Sequence, residues 1–129
     1  MIDRDHDLSI VRQAKVLKLA RSTVYYEPRP DSHVGPRATI GQSCILNTGC
    51  IVEHDCVVGD FSHVSVNATL AGRSRLGSFV FLGAGATIIG RCSVPDGTVC
   101  GAGAVVTRSL AVSGTYVGVP ARLAKPSYQ

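Results

Sequence analysis

The sequence predicts an all-β protein: a parallel β-helix of about four coils, preceded by a short helical segment. Two columns of residues predict it. Stepping by six from Val34 reaches Ile40, Leu46, Val52, Val58 and so on to Val106, and twelve of these thirteen positions are Val, Ile or Leu. Stepping by six from Ala38 through Cys44, Cys50 and Cys56 to Ala104 gives a second column that is small almost throughout. Chance does not keep two such columns in register over so long a span. A hexapeptide with one aliphatic residue inside and one small residue near a corner is a short strand and a turn. Three of them close one triangular coil, and strands of successive coils stack about 4.8 Å apart.

The elements follow in order along the chain. In residues 1–31 the apolar positions Ile10, Val11, Ala14, Val16, Leu17 and Leu19 come closer to a 3.6-residue period. Asp7 or Ser9 could cap a first helix there, and "RST" at 21–23 could open a second. "EPRP", residues 27–30, breaks helix and reads as a linker, which places a boundary near Asp31. Residues 32–129 form the repeat domain with its tail. The period ends after Val106, Gly118 and Pro120 set a turn, and the last residues are expected to pack over the final coil or a neighbouring subunit.

Composition narrows the function classes. The core must be built from Val, Ile, Leu and Ala, since Trp is absent and aromatics are 5% of residues. The net charge of +4 is spread over both parts of the chain and does not by itself argue for nucleic acid. No apolar run approaches the roughly 18 residues of a membrane helix, and "MIDRDHDLSI" lacks the features of a signal peptide. A cytoplasmic protein with no membrane partner is the expectation. The five cysteines contain no CxxC pair, and no two differ by 18, so none lies directly above another. They read as small core fillers, with no metal and no disulfide expected.

One stretch departs from the apolar pattern. "NTGCIVEHDCVVGD", residues 47–60, carries Glu53, His54 and Asp55 side by side between core positions Val52, Cys56 and Val58. Histidine titrates near neutral pH, so it suits a general base without adjustment. A flanking carboxylate could orient the ring. Neighbours in an extended strand point to opposite faces, so Asp55 can serve His54 only if the chain bends there or if the contact crosses a subunit interface.

The stretches "ATIGQSCILNTGCIVEHDCVVGDFSHVSVNATLAG", "LGAGATIIG", "VCGAGAVVTRSL" and "YVGVPAR" resemble the left-handed β-helix acetyltransferases. The branch they resemble comprises sialic acid O-acetyltransferases and amino-sugar nucleotide N-acetyltransferases. The resemblance implies a homotrimer with its site between adjacent prisms, acetyl-CoA as co-substrate and a sugar hydroxyl or amine as acceptor. It implies His54 as general base, Asp55 as the acid beside it, and His63 as a second site histidine. Gly72 would present its N–H to the thioester oxygen, and Ala84, Gly101, Ala102 and Arg108 would line the coenzyme A arm. Spacing agrees in part. Gly72 is one 18-residue coil above His54, whereas His63 is half a coil on and cannot share its face of one prism.

Some of these positions have a second reading. His63 could be a surface residue, and Arg108 could be an exposed arginine instead of a phosphate ligand. Asn47 could contact the pantetheine arm or satisfy backbone groups in a turn. Residues 1–31 resemble the start of an insertion-sequence transposase, with Lys15, Lys18 and Arg21 as phosphate contacts. So short a helix pair would be marginal alone, and DNA binding is not expected. The resembled branch begins with a Rossmann-like domain that is expected to be missing here. The alternative function is therefore a truncated, inactive β-helix that trimerises and binds coenzyme A.

Overall fold

The computed structural model describes residues 31–126. The helical segment, the linker and the DNA contacts expected within residues 1–30 lie outside the described residues. The fold is a left-handed parallel β-helix, with the coils that the period requires and the hand that the resemblance implies. Its first coil holds β1 (His33–Val34), β2 (Thr39–Ile40) and β3 (Ile45–Leu46). The second holds β4 (Ile51–Val52), β5 (Val57–Val58) and β6 (His63–Val64). The third holds β7 (Thr69–Leu70), β8 (Arg75–Leu76) and β9 (Phe81–Leu82), and the fourth β10 (Thr87–Ile88), β11 (Ser93–Val94) and β12 (Val99–Cys100). Then β13 (Val105–Val106) opens a fifth.

Every third strand pairs in parallel at a constant offset of 18, for example Val52 with Leu70 and Leu70 with Ile88. Three faces result. The first is β1-β4-β7-β10-β13, the second β2-β5-β8-β11, and the third begins β3-β6-β9-β12. The second residue of each strand points inward. From Leu46 to Val106 this aliphatic column is no more than 3% exposed. The small column packs beside it, and the five cysteines are free and buried. Where that column is polar, the side chains of Ser62 and Ser74 have partners, whereas the buried Thr98 Oγ1 has none among the described residues. Ser62 Oγ donates to the Gly77 carbonyl and accepts from the Val80 N–H, at 2.8 and 3.1 Å.

The corners explain how two residues per strand suffice. At nearly every corner one residue adopts a left-handed conformation, with φ between 57° and 71°. Glycine takes some of these positions, but Arg37, Ser43, Asp55, Phe61, Asn67, Arg73, Phe79 and Arg91 take the others. Such a conformation costs an L-residue about 1 kcal/mol. Coil-to-coil hydrogen bonds offset that cost. The N–H groups of Asp55, Arg73 and Arg91 donate to the carbonyls of Pro36, His54 and Gly72 in the coil below, at 3.0 to 3.1 Å.

After Val106 the chain leaves the period. Leu110 packs against the core. β14 (Gly114–Val117) then joins the third face parallel to β12, and β15 (Arg122–Pro126) returns antiparallel to β14. Tyr116, 6% exposed, pairs with Cys100, and its hydroxyl donates to the Val112 carbonyl at 2.6 Å. The tail thus extends the third face past the last full coil, on the chain's own prism. No helix among the described residues is long and apolar enough to cross a membrane.

Candidate functional site

His54 stands at the corner between the first and second faces, just after β4. Asp55 follows at φ 60°, so the chain turns there instead of continuing as strand. That bend decides the geometric question raised by adjacent residues. Asp55 Oδ2 lies 2.9 Å from His54 Nδ1 within one chain. The contact needs no second subunit.

The Asp55 carboxylate has a further partner that the sequence did not reveal. Arg37, one coil below, donates from Nε to Oδ1 at 2.8 Å and from Nη2 to Oδ2 at 3.1 Å. The guanidinium first, and the imidazole second, hold the Asp55 carboxyl well below the usual carboxylate range. An ionised carboxylate can only accept. His54 Nδ1 therefore carries the proton in this contact, and in the neutral ring Nε2 is the nitrogen that keeps its lone pair.

Nε2 faces Gly72. A Cβ at residue 72 would stand 2.6 Å from His54 Nε2 and 2.8 Å from Cε1. The ring therefore rises along the corner and lies against the bare backbone of the next coil. Gly72 accepts from Arg91 through its carbonyl, but its N–H has no backbone partner in the described coils. The residue above it is Gly90, which has no side chain to offer. The corner stack Pro36, His54, Gly72 and Gly90 thus places the imidazole Nε2, a backbone N–H and a bare groove in line. Arg108 is exposed and borders an open cavity of about 380 Å³ with Leu110, Tyr116, Ala121 and Arg122.

The remaining expected site residues lie elsewhere on the prism. Asn47, Ala84 and Ala102 occupy the corner between the third and first faces, and Gly101 directly precedes Ala102 there. Asn47 Oδ1 accepts from the Thr48 N–H at 2.8 Å, so its side chain serves the turn. His63 lies on the third face in β6, edge-on to Phe81 with ring centroids 5.2 Å apart. Its Nε2 is buried without a hydrogen-bond partner. Around it Ile45, Phe81 and Val99 leave an exposed apolar strip on the same face. The structure therefore gathers His54, Asp55 and Gly72 at one corner, leaves Arg108 just past β13 beside the cavity under the tail, and sets His63, Asn47, Ala84, Gly101 and Ala102 on another side. Among the described residues, no group of three or more His, Cys, Asp or Glu comes together as a metal site.

Burial pushes the His63 imidazole below its ordinary value. The sign of the consequence follows. An unfolded histidine takes up its proton near pH ~6.5, before the folded one does. The stability that His63 contributes is complete above that pH and is lost as pH falls through the folded value. His63→Gln is expected to lose less Tm than wild type between about pH 7 and about pH 5. Thermal melts at both pH values check this, and equal losses would refute it.

No family model matches the chain. Solved structures do. The acetyltransferase domain of PglB from Neisseria gonorrhoeae, in complex with acetyl coenzyme A, is 27% identical with a TM-score of 0.67. The match covers 88% of this chain and 62% of that one. Serine acetyltransferase from Neisseria gonorrhoeae is 29% identical with a TM-score of 0.70, covering 75% of this chain and 41% of that one. WeeI from Acinetobacter baumannii shares the fold at 21% identity and a TM-score of 0.57. The chain spans less than two thirds of the length of each of these structures. In sequence and in fold it is similar to the PglB acetyltransferase domain and to serine acetyltransferase.

Proposed function

We propose that the chain is an acetyl-CoA-dependent acetyltransferase whose acceptor is a sugar hydroxyl or amine, as in sialic acids or amino-sugar nucleotides. The observation that carries the reading is the His54–Gly72 contact. It sets imidazole Nε2, the nitrogen that bears the lone pair in the neutral ring, beside a backbone N–H with no backbone partner among the described residues. Acyl transfer requires that pairing: a base for the attacking group and a donor where negative charge develops.

Acetyl-CoA supplies the acetyl group as a thioester. His54 Nε2 takes the proton of the acceptor as its oxygen or nitrogen attacks the thioester carbon. Asp55 holds Nδ1–H and stabilises the imidazolium that forms. The Gly72 N–H donates to the carbonyl oxygen as it gains charge. The carbon–sulfur bond then breaks, and the proton on His54 leaves with the coenzyme A thiolate. The bare backbone at Gly72 and Gly90 gives a thin arm room to lie along the corner. Arg108, exposed just past β13, suits a phosphate group.

A trimer completes this reading. His63, Ala84, Gly101 and Ala102 stand away from His54 on one prism, so they reach the same cleft only from a neighbouring copy. The exposed strip of Ile45, Phe81 and Val99 beside His63 is the kind of surface such packing covers.

Release of free thiol from acetyl-CoA tests the function, with the full chain and a panel of sialic acids and amino-sugar nucleotides. Thiol release that depends on one acceptor and scales with protein concentration is expected. Calorimetric binding of coenzyme A with no acceptor-dependent release would overturn the activity and leave the inactive scaffold.

A further inference from the structure

We propose that Arg37 is a positioning residue for His54: from the coil below, it grips Asp55 at two points and thereby fixes the tautomer and rotation of the imidazole. The inference rests on reading His54 as the base. Arg37 precedes Asp55 by 18 residues and occupies the same turn position, and both have φ 60°. The repeat therefore stacks one directly on the other. Nε and Nη2 take the two carboxylate oxygens in the forked geometry that a guanidinium prefers. Oδ2 is shared between Nη2 of Arg37 and Nδ1 of His54.

Stability alone gives this ion pair little to do. The Arg37 side chain is 68% exposed, and exposed pairs contribute little to folding. The turn is already closed by the Asp55 N–H on the Pro36 carbonyl at 3.0 Å. What the fork adds is orientation. A lone aspartate on an open corner samples several rotamers, and only some of them reach Nδ1. With both oxygens held from below, Oδ2 stays aimed at the ring. The charged groups around His54 are Arg37 below, Asp55 and Glu53 beside it in the chain, and Arg73 in the turn above. Of these, Asp55 is in contact with the ring, and Arg37 holds it there. The tautomer of a histidine is set by the hydrogen bond its other nitrogen makes, so Arg37 acts on Nε2 without touching it.

The test uses the full chain labelled with ¹⁵N-histidine, in wild type, Arg37→Met and Arg37→Lys, with His54→Gln to assign the ring signals. Wild type is expected to show His54 protonated at Nδ1. Arg37→Met is expected to shift it largely to the Nε2-protonated form. It should also lose kcat by about tenfold or more, the scale seen when a partner that orients an imidazole is removed. KM for acetyl-CoA should change by less than about twofold, because Arg37 lies below the base and away from the Gly72–Gly90 groove. Arg37→Lys should recover part of both, since an ammonium restores the charge but not the fork. Wild-type ring signals in Arg37→Met would overturn the proposal, and so would wild-type kcat with a changed tautomer. The ring signals are read whether or not an acceptor is turned over. Failure of the base assignment appears separately, as turnover that survives His54→Ala.

Discussion

Replacing His54 by alanine is expected to lower kcat by about 100- to 10,000-fold, with the β-helix intact. The expected size follows from what the side chain does and what it leaves behind. It supplies the one lone-pair nitrogen at the corner, against a backbone where no other base is in contact. The Gly72 N–H remains, so some catalysis over the uncatalysed reaction survives. The fold should be indifferent, because the His54 side chain is 42% exposed and no part of the aliphatic column. Its backbone carbonyl still accepts from the Arg73 N–H in the variant. Asp55 keeps the Arg37 fork, so no carboxylate is stranded. Surface changes of this kind move stability by within about 0.5 kcal/mol. Thiol release measures the first effect and thermal melting the second. Wild-type turnover in a folded His54→Ala protein would remove the mechanism.

The two columns made the fold legible, because a coil repeats its environment every six residues and every environment asks for the same kind of residue. Val52, Leu70 and Ile88 stack in one file, and their size is dictated by the same interior. The candidate base stood out for the opposite reason: Glu53, His54 and Asp55 satisfy no requirement of the repeat. The bend at Asp55 was one of two possibilities the sequence left open, although it recurs in the fold. Left-handed corners usually announce themselves by glycine, and here arginine, serine, aspartate, phenylalanine and asparagine fill many of them. Without the bend, the His54–Asp55 contact looked like a problem of strand geometry. Arg37 was missed for a related reason. It is adjacent to Asp55 only through the 18-residue coil, and a lone arginine at a turn carries no motif. The distribution of the site over the prism was half legible. Spacing separates His63 from His54, but Arg108 had been grouped with Ala84 and Ala102, whereas it borders the cavity beside the tail with Tyr116 and Arg122.

Installing a carboxylate cap on the Gly72 N–H is expected to cost about 100- to 1,000-fold in kcat, the scale of losing one oxyanion donor. The fold itself supplies the template. At the corner between the second and third faces, two equivalent N–H groups are closed by aspartates one coil above. Asp60 Oδ1 accepts from Gln42 at 2.9 Å and Asp96 Oδ1 from Ser78 at 2.8 Å. Each cap needs a glycine beneath it, because a Cβ at Gly41 or Gly77 would sit 2.2 Å from the carboxylate oxygen. At the His54 corner both halves of the device are absent: Gly90 replaces the aspartate and Ala71 replaces the glycine. The double variant Ala71→Gly/Gly90→Asp restores both and should engage the Gly72 N–H. Gly90→Asp alone is the internal control, since the Ala71 methyl occupies the place the oxygen needs, and its loss of kcat should be the smaller. Gly72→Ala is the less informative change, because its Cβ would displace His54 Nε2 and strike base and donor together. Slowed hydrogen exchange at residue 72 would report that the cap has formed. If exchange slows and the double variant turns over as fast as Gly90→Asp alone, the Gly72 N–H does not carry the developing charge.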